Sequence, residues 1–113
     1  HLNLLTKRFG ITLNADSKSK VYYDQYEMAA FQIPAGDDIF TTAKKVYLKE
    51  VSSLTLSKKA KPILTHHKEG YTVAAVAPYG KGKIIVVGDP WFYNEYLNGR
   101  LGNNNGWDND KAA

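Results

Sequence analysis

The sequence predicts an α/β domain with a layered, mixed sheet and few helices, and three observations predict it. Ile84-Ile85-Val86-Val87 is an unbroken apolar run without polar alternation, the pattern of an interior strand covered on both faces. The run stops at Gly88-Asp89-Pro90 and passes at once into an aromatic, polar segment ending at Arg100. In layered sheets, ligands sit beyond the carboxyl ends of such strands. Apolar residues at helical spacing are few, so strands outnumber helices.

The elements follow in order. Leu2, Leu4, Leu5 and Phe9 lie at roughly helical spacing and Gly10 is a natural stop, which predicts a short amphipathic helix over residues 2–9. Ile11-Thr12-Leu13 reads as extended and residues 14–20 as a polar loop. Residues 22–26 fit a loop or an edge strand. Residues 28–33 fit a strand that Pro34-Ala35-Gly36 ends, and Asp37 or Asp38 is placed to cap a helical turn through Ala43. Residues 46–51, 54–56, 63–65 and 71–77 read as strands. Tyr79-Gly80-Lys81-Gly82 is a tight hairpin connection, since glycine relieves the positive φ that such turns demand. Residues 83–87 form the returning strand, and a helix is expected from Trp91 to Leu97. Residues 98–106 are a loop, and Asp108 or Asn109 caps a terminal helix. A complete doubly wound domain alternates strand and helix from its start. This chain reads as the later part of one, with a hairpin region inserted between residues 22 and 66.

Bulk composition narrows the function classes. The 113 residues suffice for one domain, and 43% hydrophobic content is ordinary for a globular chain. The formal charge is +4, and thirteen of the 15 basic residues are lysines spread along the sequence. Nucleic-acid binders cluster charge and favour arginine forks, so a solvated lysine surface is the better reading and no nucleic acid is expected. The absence of cysteine excludes disulfides, thiolate metal sites and a thiol nucleophile. No run approaches the ~18 apolar residues of a membrane span. The chain opens at His1 and closes at Lys111-Ala112-Ala113, which suggests a segment of a longer polypeptide.

Tyr79-Gly80-Lys81-Gly82, Gly88-Asp89-Pro90-Trp91-Phe92-Tyr93-Asn94-Glu95-Tyr96 and Gly99-Arg100 carry a resemblance to a known family. So, more loosely, do Leu4-Leu5 with Phe9-Gly10-Ile11, and Asp108-Asn109 with Lys111-Ala112-Ala113. These segments resemble the C-terminal class I glutamine-amidotransferase-like (flavodoxin-like) domain attached to unsaturated glucuronyl and rhamnogalacturonyl hydrolases of gut Bacteroidetes. The resemblance implies residues 1–113 as part of a longer flavodoxin-like domain with its first strands missing. It implies a non-catalytic accessory module of a carbohydrate-active, polysaccharide-degrading glycoside hydrolase, docked on that protein's catalytic (α/α) barrel. The parent would be exported, periplasmic or extracellular. Glutaminase activity does not transfer, because that chemistry needs a cysteine nucleophile. No cofactor is expected, and a homo-oligomer is compatible with the reading.

The candidate ligand-binding residues are Asp89, Trp91, Asn94, Glu95 and Arg100. Asp89 could bind a sugar hydroxyl or a cation, or cap the next helix. Trp91, Phe92, Tyr93 and Tyr96 could stack on a sugar; core packing is the plainer reading for all but Trp91. Glu95 and Arg100 could pair with each other, or Arg100 could clamp a uronate carboxylate. Two alternatives stand beside the accessory role: a carbohydrate-binding module using Trp91, Asp89 and Arg100, and a small hydrolase using Asp89 with Glu95. No metal site or catalytic residue is assigned. His66 and His67, as strand neighbours, should point to opposite faces. Gly80-Lys81-Gly82 lacks the frame of a phosphate loop. Lys58, Lys59 and Lys61 read as a solvated face.

Overall fold

The computed structural model describes residues 2–92 and 107–112. In chain order these form helix α1 (Leu2–Thr6) with a 3-10 turn (Lys7–Phe9), strand β1 (Ile11–Leu13), a second 3-10 turn (Tyr26–Ala29), β2 (Ala30–Gln32), β3 (Lys45–Tyr47), β4 (Leu54–Leu56), β5 (Lys61–Thr65), β6 (Thr72–Tyr79), β7 (Gly82–Val87) and helix α2 (Asn109–Ala112). The structure is mostly sheet, as the strand-rich reading expects, and both helices are short.

β6 is the spine. Its eight residues pair with β5 along one edge and with β7 along the other. β4 meets the edge that β7 uses, at Leu54–Thr72, and β1 extends β4. β2 and β3 form a separate two-stranded sheet. Every pairing between these strands is antiparallel. The described residues therefore contain none of the parallel ladders on which a flavodoxin-like sheet is built.

The β6–β7 hairpin forms as its residues dictate. Gly80 takes φ +56° at the first position of the two-residue loop, where a type II′ turn calls for glycine. From there the register runs Tyr79–Gly82, Ala77–Ile84, Ala75–Val86 on one face and Pro78–Lys83, Val76–Ile85, Ala74–Val87 on the other. The small alanines of β6 let layers close on both sides. On the first face, Ile11 and Leu54 of the β1–β4 pair pack over Ala75, Ala77 and Val86, with Phe9, Leu13 and Ile84 at the margins. On the second, Phe31, Val46 and Leu48 from the β2–β3 region pack with Leu64, Ala74 and Phe92.

Gly88 ties these layers together. Its N–H donates to the Val73 carbonyl (2.8 Å) and its carbonyl accepts from the Ser52 N–H (2.9 Å). A methyl group placed on Gly88 would lie 1.9 Å from the Ser52 oxygen.

Several expectations need correction. The interior strand is β6, not Ile84–Val87. Among the described residues β7 pairs with β6 alone, and Ile85 is 43% exposed. An apolar run does not reveal how far the cover over it extends. The strand expected over 46–51 stops at Tyr47, and Glu50 sits at φ +54°. The strand expected over 28–33 shrinks to β2 because residues 26–29 coil into a 3-10 turn. Asp37 does cap, with Oδ1 accepting from the N–H groups of Ile39 and Phe40 (2.8 and 2.7 Å), but no helix follows.

Gly88→Ala should lower unfolding stability by about 3 kcal/mol, because a backbone oxygen cannot yield as a flexible side chain does. Gly82→Ala, whose added carbon would meet only the Tyr79 oxygen at 3.7 Å, should change it by less than about 1 kcal/mol. Urea titration followed by circular dichroism checks both.

Candidate functional site

The Asp89-Pro90-Trp91 corner follows β7 directly. Asp89 is 3% exposed, and its Oδ1 accepts from the Trp91 N–H at 2.7 Å. The carboxylate therefore holds the turn between Asp89 and Trp91, and the helix it was expected to cap lies outside the described residues. Trp91 is 52% exposed, whereas Phe92 is fully buried against Phe40. Phe92 thus packs in the core while Trp91 stays at the surface; Tyr93 and Tyr96 lie outside the described residues. Asn94, Glu95 and Arg100 lie outside the described residues, as do the Glu95–Arg100 pair and the helix expected through Leu97.

A second feature lies on the same hairpin and the sequence reading missed it. The β2–β3 region covers Ala74 and Val87 but stops short of Val76, Pro78 and Ile85. Val76 and Pro78 lie in the floor of an open groove of about 590 Å³, and Ile85 pairs with Val76 beside it. Ile39, Pro62, Ile63, Val76 and Pro78 give it an apolar lining, and Lys59, Lys61 and Lys83 stand at its rim with Asp37 and Asp38 opposite. Two signals in the sequence point to it. Pro62 lies within β5 and cannot donate to a ladder, which marks an edge strand. Lys81 and Lys83 flank the start of β7, and lysine is a usual mark of a sheet edge.

His66 and His67 follow β5 and do not diverge as strand neighbours would. Their rings stack 5.0 Å apart, and His66 stacks again on Tyr71 at 4.8 Å. His66 Nδ1 accepts from the Glu69 N–H (3.2 Å), and the Tyr71 hydroxyl lies 2.7 Å from Ser19 Oγ. Burial pushes the His66 imidazole below its ordinary range, aided by His67 and Lys68 and opposed by Glu69. Burial raises the Tyr71 phenol. Among the described residues, no three His, Cys, Asp or Glu side chains converge as a metal site would require.

Residues 107–109 fasten the open edge of β3. The Asp108 N–H donates to the Lys45 carbonyl (2.7 Å), and Asp108 Oδ2 accepts from the Lys44 and Lys45 N–H groups (2.9 and 3.2 Å). Asn109, 1% exposed, accepts from the Tyr47 N–H (2.8 Å) and donates to the Tyr47 carbonyl (2.9 Å), as a paired strand would. Trp107 packs on the Tyr47 ring at 5.3 Å, beneath the Lys45 ammonium at 4.4 Å. The Lys111 hydrogen bond, with those from Lys44 and Lys45, holds the Asp108 carboxyl below the usual range against the effect of burial.

A scan against known protein families finds no match, and a search of curated proteins finds none. Among solved structures, the fold matches one titled "mmIFT52 N-terminal domain", with a TM-score of 0.70 and 20% identity. The match covers 99% of this chain and 53% of that one, so the chain spans about half the length of its neighbour. At this identity the likeness shows a shared fold. It also corrects the family expected from the 79–100 segments: the neighbour is not an amidotransferase-like or glycoside-hydrolase-associated domain. The expected accessory role in polysaccharide degradation falls with it, together with the hydrolase association and the catalytic-barrel partner. Among the described residues no helix is long and apolar enough to cross a membrane.

Two outcomes follow from this chemistry. Asn109→Ala removes both side-chain hydrogen bonds to the Tyr47 backbone, so stability should fall by about 2 kcal/mol, read as a lower denaturation midpoint. His66 gives a pH dependence. The unfolded imidazole binds its proton near the ordinary value of 6.5 and the folded one only at lower pH. Stability should be full above that value and decline as pH falls through it toward the lowered folded value. His66→Phe should remove that component, as denaturant titrations at a series of pH values will show.

Proposed function

We propose that this chain is a non-catalytic docking domain that receives an extended segment of another protein at β7 and the adjacent groove. The observation that carries the reading is the coincidence of an apolar groove, an exposed Ile85 and a strand edge without a partner among the described residues. Backbone groups on an open edge can be met by an added strand, and alternate side chains of that strand then reach a flanking pocket. Trp91 offers a further contact beyond the end of β7, and Asp89 fixes the turn that presents it. If Asn94, Glu95 and Arg100 contribute, they do so from the segment that follows. The structural neighbour supports the reading through its title alone, which describes one domain of a longer protein.

A second reading is favoured by the match covering only 53% of the neighbour. In a longer chain the same edge could take up further strands of its own, laid parallel to β7, which is what a flavodoxin-like sheet would need. Amides of Lys83 and Ile85 that exchange slowly in the longer chain, and rapidly in this one, would favour it.

Selection of random peptides displayed on phage against the 113-residue chain tests the docking reading. The expected result is a set of extended binders in the micromolar range that Ile85→Lys abolishes. A selection that yields no binder, or only binders indifferent to Ile85→Lys, would overturn it.

A further inference from the structure

The register specifies the chemistry of the segment that would bind, given the docking reading above. On the groove face, Lys61, Val76 and Ile85 line up across three strands, and Pro78 and Lys83 form the next row. The hairpin closes on the Tyr79–Gly82 pair, so antiparallel alternation turns the backbone groups of Gly82, Ile84 and Val86 toward β6. The Gly88 N–H, bonded to the Val73 carbonyl, continues the same phase. The N–H and C=O groups of Lys83, Ile85 and Val87 therefore face outward. None of them has a backbone partner among the described residues.

The charge around this edge is predominantly positive. Lys59, Lys61, Lys81 and Lys83 are all exposed, and the ion pairs among the described residues, Lys45–Glu27 and Lys111–Asp108, involve none of them. Two acids also line the groove, Asp37, whose Oδ1 accepts the N–H groups of Ile39 and Phe40, and Asp38, so the four lysines outnumber them two to one. A second copy of this chain, docked edge to edge, would bring four lysines against four, and a basic segment would be repelled likewise. An acidic segment meets an edge where lysines outnumber acids, with Lys81 and Lys83 nearest to it.

We propose that β7 binds an extended acidic segment of a partner protein as an added strand. An apolar residue of that segment sits beside Ile85 on the outer edge of β7. The carboxylate two positions away toward the turn meets Lys83 and, beyond it, Lys81. Lys59 and Lys61 add their field from across the groove. Specificity then comes from three demands at once: extended backbone, one apolar side chain, and an acid two positions from it toward the turn.

The test titrates the full 15N-labelled chain with a capped heptapeptide, Ser-Glu-Thr-Val-Thr-Glu-Ser, and with its counterpart carrying Lys in place of Glu. The acidic peptide should give its largest shifts at the amides of Lys83, Ile85 and Val87 and slow their solvent exchange at least about tenfold. Its affinity should exceed that of the basic peptide by at least about tenfold and fall steeply with added salt. Lys83→Glu should reverse the preference, and Ile85→Lys should weaken binding without unfolding an exposed site. Equal affinity for both peptides, or shifts centred elsewhere, would overturn the proposal. A concentration-dependent dimer that protects the same amides, seen by sedimentation, would assign the edge to a second copy and overturn it too. If library selection yields Ile85-dependent binders without acids, the docking reading survives and this inference fails.

Discussion

One backbone junction sets the geometry on which the rest depends. At Gly88 the chain leaving β7 is held between Val73 on one side and Ser52 on the other by two hydrogen bonds, with no room for a side chain. That contact joins the β6–β7 hairpin to the segment entering β4, and so brings the β1–β4 pair over one face of the hairpin. Gly10 repeats the arrangement at the far end of that pair. Its carbonyl accepts from the Ser57 N–H, and a methyl there would lie 2.2 Å from the Ser57 oxygen. Both close approaches are backbone to backbone, where packing has no rotamer with which to adjust. The curl of the sheet is thus fixed by two glycines more than by the volume of its core.

The same constraint explains why a groove exists. β6 carries Ala74, Ala75 and Ala77, residues small enough for cover on both faces. The β1–β4 pair covers one face as far as Ala77. The β2–β3 sheet covers the other only to the row of Ala74 and Val87. It is held there by Asp108 and Asn109, whose side chains take the place of a neighbouring strand along β3. A two-stranded sheet of three-residue strands is too short to reach Val76 and Ile85. The apolar floor is left over from this mismatch in length, and among the described residues β7 has no partner on its outer edge.

Local structure was legible in the sequence because its causes are local. The hairpin at Gly80, the stop at Gly10, the cap at Asp37 and the brief strands 11–13 and 54–56 all follow from residues adjacent to one another. The errors came from contacts distant in sequence. Ile84–Val87 has the composition of an interior strand, and only the extent of the β2–β3 cover, set more than thirty residues away, decides that Ile85 meets water. Asn109 pairs with Tyr47 across 62 residues, and nothing in either neighbourhood announces it. The two histidines stack because the chain turns immediately after Thr65. Their strand neighbourhood alone had suggested divergence. The groove left traces that could have been read: Pro62 inside a strand, and lysines at 81 and 83 beside an apolar run.

The Asp-Pro-Trp corner shows how a chemical motif can serve geometry. An aspartate after a buried strand, followed by proline and an aromatic residue, reads as a ligand site because those residue types bind polar ligands. Here the first use of Asp89 is to accept the Trp91 N–H, turning the chain so that Phe92 enters the core while Trp91 stays at the surface. A carboxylate that is 3% exposed and committed to its own backbone has little left to offer a ligand. The side chains free to bind are those the fold has no internal use for, namely four unpaired lysines, Ile85 and the Trp91 indole. Lys81, Lys83, Ile85 and Trp91 lie along β7 and its two ends, where the strand's own outward N–H and carbonyl groups lie as well, and Lys59 and Lys61 stand at β5. On this chain, recognition belongs to what the packing leaves unsatisfied.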